Sequence, residues 1–319
     1  MRTDRRLTLL ALVTAGLLWG TTIPLTKVAL SGVGPGWLTV FRFTLAALPL
    51  AILARRSLRA AISPSVIAWG GIGYGAALVL QNIGIGHTSV SHAALIVGAV
   101  PVLVAVLGLV SGRGTTGLGT WAGLSLSLLG IGVIASHGGG SATLAGDAMV
   151  GGSALLSALF VIAQPRLLSG RDPVAVTAVQ LAAGAAAGLP AALSSGLPPM
   201  PDVTPAVAMV TLAFAGTLVP FTLFAYGQSR VSPAAAGAFL NLEPLVGFLL
   251  GVVAFGDAFA GPQLAGGLAI LTGLALTSLP MLRRTPAPIQ ESAVHAESAA
   301  LAEFAVPERV TVLAESGRY

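Results

Sequence analysis

Apolar residues run along this chain in long blocks, separated by short stretches of turn-forming and charged residues. The blocks lie at 7–30, 36–54, 66–86, 89–111, 117–136, 147–165, 173–194, 204–227, 232–255 and 262–281. Each is close to the roughly 20 residues that a helix needs to cross a bilayer. The breaks carry turn chemistry: Ser31–Gly36, Ser63-Pro64, Gly138–Ser141, Asp172-Pro173, Pro198–Pro201, Ser232-Pro233 and Gly261-Pro262. The pattern predicts an all-α integral membrane protein of ten transmembrane helices. The first block continues to Leu30, beyond the apolar region of a signal peptide. Blocks three and four are divided only by the polar stretch from His87 to Ser91.

Composition narrows this reading. Charged residues are 8% of the chain and hydrophobic ones 55%, where a soluble domain carries about 25% charge. So few charges do not coat a water-facing globule, whereas lipid requires none. Charge placement then sets the topology. With the N-terminus inside, the inner segments hold Arg2, Arg5, Arg6, Arg55, Arg56, Arg59, Arg113, Arg166, Arg171, Arg230, Arg283 and Arg284. The outer links hold no Lys or Arg but do hold Asp147, Asp202 and Asp257. The positive-inside rule thus predicts both termini in the cytoplasm. The excess of Arg over Lys, with abundant Ala and Gly, points to a GC-rich bacterial genome and so to a bacterial cytoplasmic membrane. Glycines four apart (16/20, 71/75, 108/112, 119/123, 184/188 and 247/251) suit close helix packing in lipid.

The chain also resembles itself. Shifted by 143 residues, Gly84 falls on Gly227, Ser89 on Ser232, Ala93 on Ala236, Pro101 on Pro244, Gly108 on Gly251, Gly123 on Gly266 and Gly130 on Gly273. Pro101 and Pro244 are predicted helix bends at matching places. Each copy holds five spans, and an odd number inverts the second copy. The expected organisation is a first repeat at 7–137, a second inverted repeat at 146–281, and a polar, disordered cytoplasmic tail at 285–319. Inverted repeats are a recurring plan of alternating-access carriers.

Leu18-Trp19-Gly20-Thr21-Thr22 with Lys27 resembles the first span of the EamA-type drug/metabolite transporters. Phe41-Arg42-Phe43 resembles that family's second span. Leu242-Glu243-Pro244-Leu245, Gly251, Gly256-Asp257, Gln263, Gly266 and Gly273 resemble its ninth and tenth. The resemblance implies a ten-helix inverted-repeat fold and the export or exchange of amino-acid-like or drug-like metabolites. Asp257 stands where the family often has Glu, the first-copy corner Gly112-Arg113-Gly114 has no acid, and Gln180 lies near the place matching Arg42. The halves have therefore diverged.

Glu243 is the sharpest candidate for substrate or proton binding. It lies near the middle of its span, where a charge costs on the order of 3 kcal/mol. Its bland alternative is a protonated acid bonding the carbonyl freed near Pro244. Lys27 and Arg42 flank the first outer turn; either snorkels to headgroups, pairs with Glu243 or holds a substrate carboxylate. Gln81, Asn82 and Asn241 line a path or tie helices together. Trp19, Tyr74 and Tyr226 form cavity walls or bundle core. His87 and His92 suit a solvated link.

No P-loop surrounds Lys27, and no metal-ligand cluster or hydrolytic constellation stands out, so no enzyme activity, cofactor or metal is expected. The scattered arginines make no nucleic-acid face. The expected partners are lipid, a small-molecule substrate and protons as coupling ion, with a homodimer left open. The alternative class is a channel or non-catalytic scaffold.

Overall fold

A computed structural model describes residues 2–88, 93, 96–111, 117–135, 143–198, 200–246, 249 and 261–283. The expected tail at 285–319, His92, Asp257 and the corner at 112–114 lie outside them. The described residues are helical, with no strand among them.

Among the described residues the main helices in chain order are α1 (Arg2–Trp19), α2 (Thr22–Leu30), α3 (Pro35–Leu53), α4 (Pro64–His87), α5 (Val100–Val110), α6 (Leu118–Ala135), α7 (Leu144–Leu168), α8 (Pro173–Ser194), α9 (Val203–Gln228), α10 (Pro233–Ala238) and α11 (Gly261–Arg283). The helices start where local chemistry allows it. Pro35, Pro64, Pro173 and Pro233 occupy first turns, where a missing N–H costs nothing. Side chains of Ser63, Thr143, Asp172 and Ser232 accept from first-turn N–H groups. Gly170, at φ 68°, takes the left-handed position that ends α7.

Among the described residues six helices are long and apolar enough to cross a membrane: Arg5–Leu30, Pro35–Leu53, Pro64–His87, Leu144–Leu168, Pro173–Ser194 and Val203–Gln228. Four shorter apolar helices run Ile96–Val110, Leu118–Val133, Ala235–Val246 and Leu264–Thr277. Large apolar side chains such as Ile52, Leu53, Val110, Leu118 and Leu193 face outward, as a lipid-facing surface requires.

The long helices are not uniform. The Arg5–Leu30 helix breaks at Gly20-Thr21. There Thr21 Oγ1 donates to Leu18 O and Thr22 Oγ1 to Trp19 O, capping carbonyls the break exposes. α4 widens into a π-helical stretch over Gly70–Ala76, and α9 does so over Phe214–Leu218. After α10 the chain passes through a 3₁₀ turn, Phe239–Asn241, and is helical again from Leu242. Pro244 follows that turn, and Pro101 follows a turn at Ala99. Both prolines therefore sit beside helix irregularities.

Glycines set the close approaches. A Cβ at Gly16 would strike Phe239 O, and one at Gly20 would strike Val246 and the Glu243 carbonyl, so α1 lies directly against the segment carrying Glu243. Gly75 meets Gly184, and Gly184 meets Phe43. Gly123 meets Gly273, and Gly130 meets Gly266, joining α6 to α11. Among the described residues nothing lies within 4 Å of a Cβ built at Gly108 or Gly119.

Candidate functional site

A cavity of about 910 Å³, its open side included, lies among α1, α2, α3, α4, α5, α7, α9 and the Ala235–Val246 helix that continues α10. Its wall is aromatic. Trp19, Phe43, Tyr74, Phe160, Phe221 and Phe224 all line it. Tyr74 packs 4.4 Å from Phe160 and 4.5 Å from Phe221, and Trp19 packs 5.2 Å and 5.0 Å from Phe221 and Phe224. These are edge or tilted contacts, the favoured geometry for aromatic pairs.

Two opposite charges enter this apolar space. Arg42 is only 3% exposed and Glu243 8%, and both line the cavity. They act on each other electrostatically. Arg42 is anchored by the widened part of α9: Nε donates to Thr217 Oγ1, and Nη2 donates to Gly216 O at 2.8 Å. Sequence explains why that carbonyl is free. Pro220 stands four residues after Gly216 and has no N–H to offer it. Thr217 in turn donates to Leu212 O at 2.8 Å, which fixes its hydroxyl as an acceptor for Arg42. A guanidinium has five donors, so two bonds to α9 leave donors for a third party. Glu243 sits one residue before Pro244, which has no N–H to give Leu240; Leu240 lines the cavity, as does Val97, four residues before Pro101.

Six of the sequence candidates thus meet in one cavity: Trp19, Arg42, Tyr74, Gln81, Asn82 and Glu243. Asn82 also donates to Thr39 Oγ1 at 3.1 Å. Three lie elsewhere. Lys27 is exposed and donates to Thr88 O at 3.2 Å, beside His87 at the end of α4. Its four-carbon stem reaches the link, whereas Arg42 turns inward to the carbonyl that Pro220 frees. Tyr226 is covered by Arg230, whose guanidinium carbon lies 3.6 Å from the ring centroid. Asn241 is buried, and its Nδ2 has no hydrogen-bond partner. Residues not singled out from sequence also take part: Phe160, Phe221 and Phe224 in the wall, Gly216 and Thr217 behind Arg42. The pair Gly216 and Pro220 was the one available signal for the last two. Among the described residues no group of His, Cys, Asp and Glu is arranged to hold a metal.

Comparison with known proteins agrees with this architecture. The chain is similar to a "Probable terminal-alkyne amino-acid exporter" of Streptantibioticus cattleyicolor, 29% identical over 86% of this chain and 94% of that protein. It is similar to an "Uncharacterized transporter" of Archaeoglobus fulgidus, 25% identical over 82% of this chain and 94% of the relative. The "Uncharacterized transporter YdfC" of Bacillus subtilis is 24% identical over 82% of this chain and 88% of its own. A protein of known crystal structure shares the fold, with TM-score 0.73 at 21% identity, covering 87% of this chain and 99% of that one. The profile of the EamA-like transporter family matches twice, at residues 6–136 and 144–279. The chain belongs to the EamA-like transporter family, whose members are membrane-spanning transporters of small molecules.

Proposed function

We propose that this protein is a secondary carrier that exports or exchanges amino-acid-class solutes by alternating access across a bacterial cytoplasmic membrane. The observation that carries the reading is that Arg42 and Glu243, of opposite charge, line one aromatic cavity. An amino acid bears a carboxylate and an ammonium on the same carbon. Arg42 offers the carboxylate a fork of donors held in place from behind. Glu243 offers the ammonium a counter-charge, and the aromatic wall takes an apolar side chain. The relative named as an amino-acid exporter supports the same substrate class. Glu243 also suits a proton-coupling role, since it can exchange a proton for substrate ammonium at the same place.

The carrier has ten spans as two inverted five-helix repeats, near 7–137 and 146–281, with both termini cytoplasmic. The two matched stretches, 6–136 and 144–279, support this, being offset by 138 residues at their starts and 143 at their ends. Contacts repeat with those offsets. Gly73 abuts Phe160 while Gly216 abuts Thr22, so the partners exchange halves. The wide turns at Gly70–Ala76 and Phe214–Leu218 also correspond, as do the exchanged pairs Gly123 with Gly273 and Gly130 with Gly266. Such reciprocal contact is what a two-fold relation produces.

Counterflow in proteoliposomes tests the function. Liposomes loaded with unlabelled L-leucine and L-phenylalanine should accumulate the labelled amino acids transiently and saturably. Glu243→Gln should abolish the response to an imposed pH gradient. A conductance without saturation would support a channel, and no flux of any amino acid would reject the substrate class.

A further inference from the structure

One helical turn beyond the cavity floor lies a layer of buried amides with no place in substrate binding as described above. Phe160 and Val161 line the cavity on α7. Gln164, the next turn of α7, is fully buried. It forms a reciprocal amide pair with Gln180 of α8: Gln164 Nε2 donates to Gln180 Oε1 at 2.9 Å, and Gln180 Nε2 donates to Gln164 Oε1 at 2.8 Å. Gln228, the next turn beyond Phe224 on α9, is 2% exposed and donates from Nε2 to Val161 O at 3.3 Å. That carbonyl is free because Pro165, four residues on, lacks an N–H. Gln228 Oε1 is buried with no hydrogen-bond partner.

Beyond these amides the bundle is sealed by a small apolar cluster of Ala54, Ala61, Val66, Leu167, Leu168, Ala175, Val176 and Ala225. It lies at the arginine-bearing helix ends, where Ser57 Oγ donates to Asp172 at 2.6 Å. Three buried glutamines are expensive in a helix bundle surrounded by lipid. A structural tie needs neither a long 3.3 Å bond to a proline-freed carbonyl nor an orphaned acceptor. A polar path that is wet only part of the time accounts for both.

We infer that Gln164, Gln180 and Gln228 form the inner gate of the carrier: in the inward-open state the Gln164–Gln180 pair parts, α7 bends at Pro165, and the amides line the route to the arginine-bearing side. This inference rests on the alternating-access reading above. Substrate leaving or reaching the cavity there meets neutral donors and acceptors that replace water without trapping a charge.

The chain has no Cys, so single thiols report accessibility without background. Gln164→Cys and Gln228→Cys should react with a membrane-impermeant maleimide from the arginine-bearing side in vesicles of one orientation, and not from the other side. They should react at least tenfold faster than Ala154→Cys, a buried position on α7. Combining each with Ile85→Cys, first capped from the opposite face by a bulky maleimide, should slow inner labelling several-fold, because the wedge holds the cavity open. No reaction above the Ala154→Cys control overturns the gate. Reaction from both sides, or no effect of the wedge, also overturns it and indicates a static pore. A second variant needs no thiol. The double substitution Gln164→Leu and Gln180→Leu replaces the pair with apolar groups and should fold. It should lose at least tenfold in counterflow; transport at the unsubstituted rate overturns the proposal. Labelling requires no substrate, so its outcome stands apart from whether amino acids are the cargo.

Discussion

Two places in the bundle use the same device to different ends. In α9, Pro220 frees the carbonyl of Gly216, and Arg42 from α3 takes it. In α7, Pro165 frees the carbonyl of Val161, and Gln228 from α9 takes it. The first bond is 2.8 Å long, charged, and doubled by a second bond to Thr217. The other is 3.3 Å, neutral and single, and its amide oxygen is left without a partner. Charge-assisted hydrogen bonds are roughly twice as strong as neutral ones. The difference separates a fixed wall from a joint. Arg42 holds the cavity's recognition edge in one place, whereas Gln228 holds the Val161 carbonyl weakly enough to let it go.

Removing the strong member should have the largest effect. Arg42→Leu strips the cavity of its cation and leaves Glu243 without its counter-charge. With no cation left to take the substrate carboxylate, amino-acid counterflow should fall by at least 100-fold. Arg42→Lys should restore little of it, because an ammonium cannot bridge Thr217 and Gly216 as a planar fork does. Full rescue by Lys would break the comparison, since a point charge would then suffice.

Next in size are the prolines themselves. Pro220→Ala returns an N–H that competes with Arg42 for Gly216 O. Transport should drop about tenfold, mainly through a raised KM. Pro165→Ala returns an N–H to Val161 O and stiffens α7. It should raise the unfolding midpoint in detergent and slow turnover several-fold with KM little changed. If both alanines shift KM alike, the wall and the joint are not distinct.

Much of this was legible in the sequence, and the reasons are specific. Helix starts are written in Pro35, Ser63-Pro64, Asp172-Pro173 and Ser232-Pro233, and the structure begins helices there. Glu243 stood out because an acid at mid-span is costly, and Arg42 because few charges exist at all. Depth along the helix made Lys27 and Arg42 look equivalent; direction around the helix separated them, and a one-dimensional pattern carries little direction when every face is apolar. For the same reason Phe160, Phe221 and Phe224 were hidden among other hydrophobic residues, and Tyr226 gave no sign that Arg230 would cover it. Helix widening at Gly70–Ala76 and Phe214–Leu218 depends on tertiary contacts, such as Gly73 against Phe160, that no local propensity encodes.

A smaller effect is expected at Thr217. Thr217→Val keeps the side chain's shape but removes the oxygen that accepts from Arg42 Nε and donates to Leu212. One hydrogen bond to a charged group contributes about 1.5–3 kcal/mol. Because Gly216 O still holds Nη2, the lower end applies, and kcat/KM should fall about tenfold. A fall as large as that of Arg42→Leu would mean that the hydroxyl, not the proline-freed carbonyl, fixes the guanidinium.

The smallest effect, and the sharpest contrast with Arg42, is on the stability of Gln228→Met. Methionine has nearly the same length and bends as readily. The substitution removes a neutral bond at the long end of the range, which contributes about 1 kcal/mol at most. It also removes a buried oxygen that has no partner, and burying such a group costs about 1–3 kcal/mol. The two terms oppose each other, so the unfolding midpoint should move little or rise slightly. Arg42→Met offers no such offset, because it takes the donor from the Gly216 carbonyl, removes one of the two bonds of Thr217 and leaves the buried Glu243 without an opposite charge in the cavity, and its midpoint should fall clearly. Thermal unfolding of both variants in the same detergent compares them directly. Equal destabilisation would show that Gln228 braces the fold as Arg42 does, and the joint at Pro165 would then be a second wall.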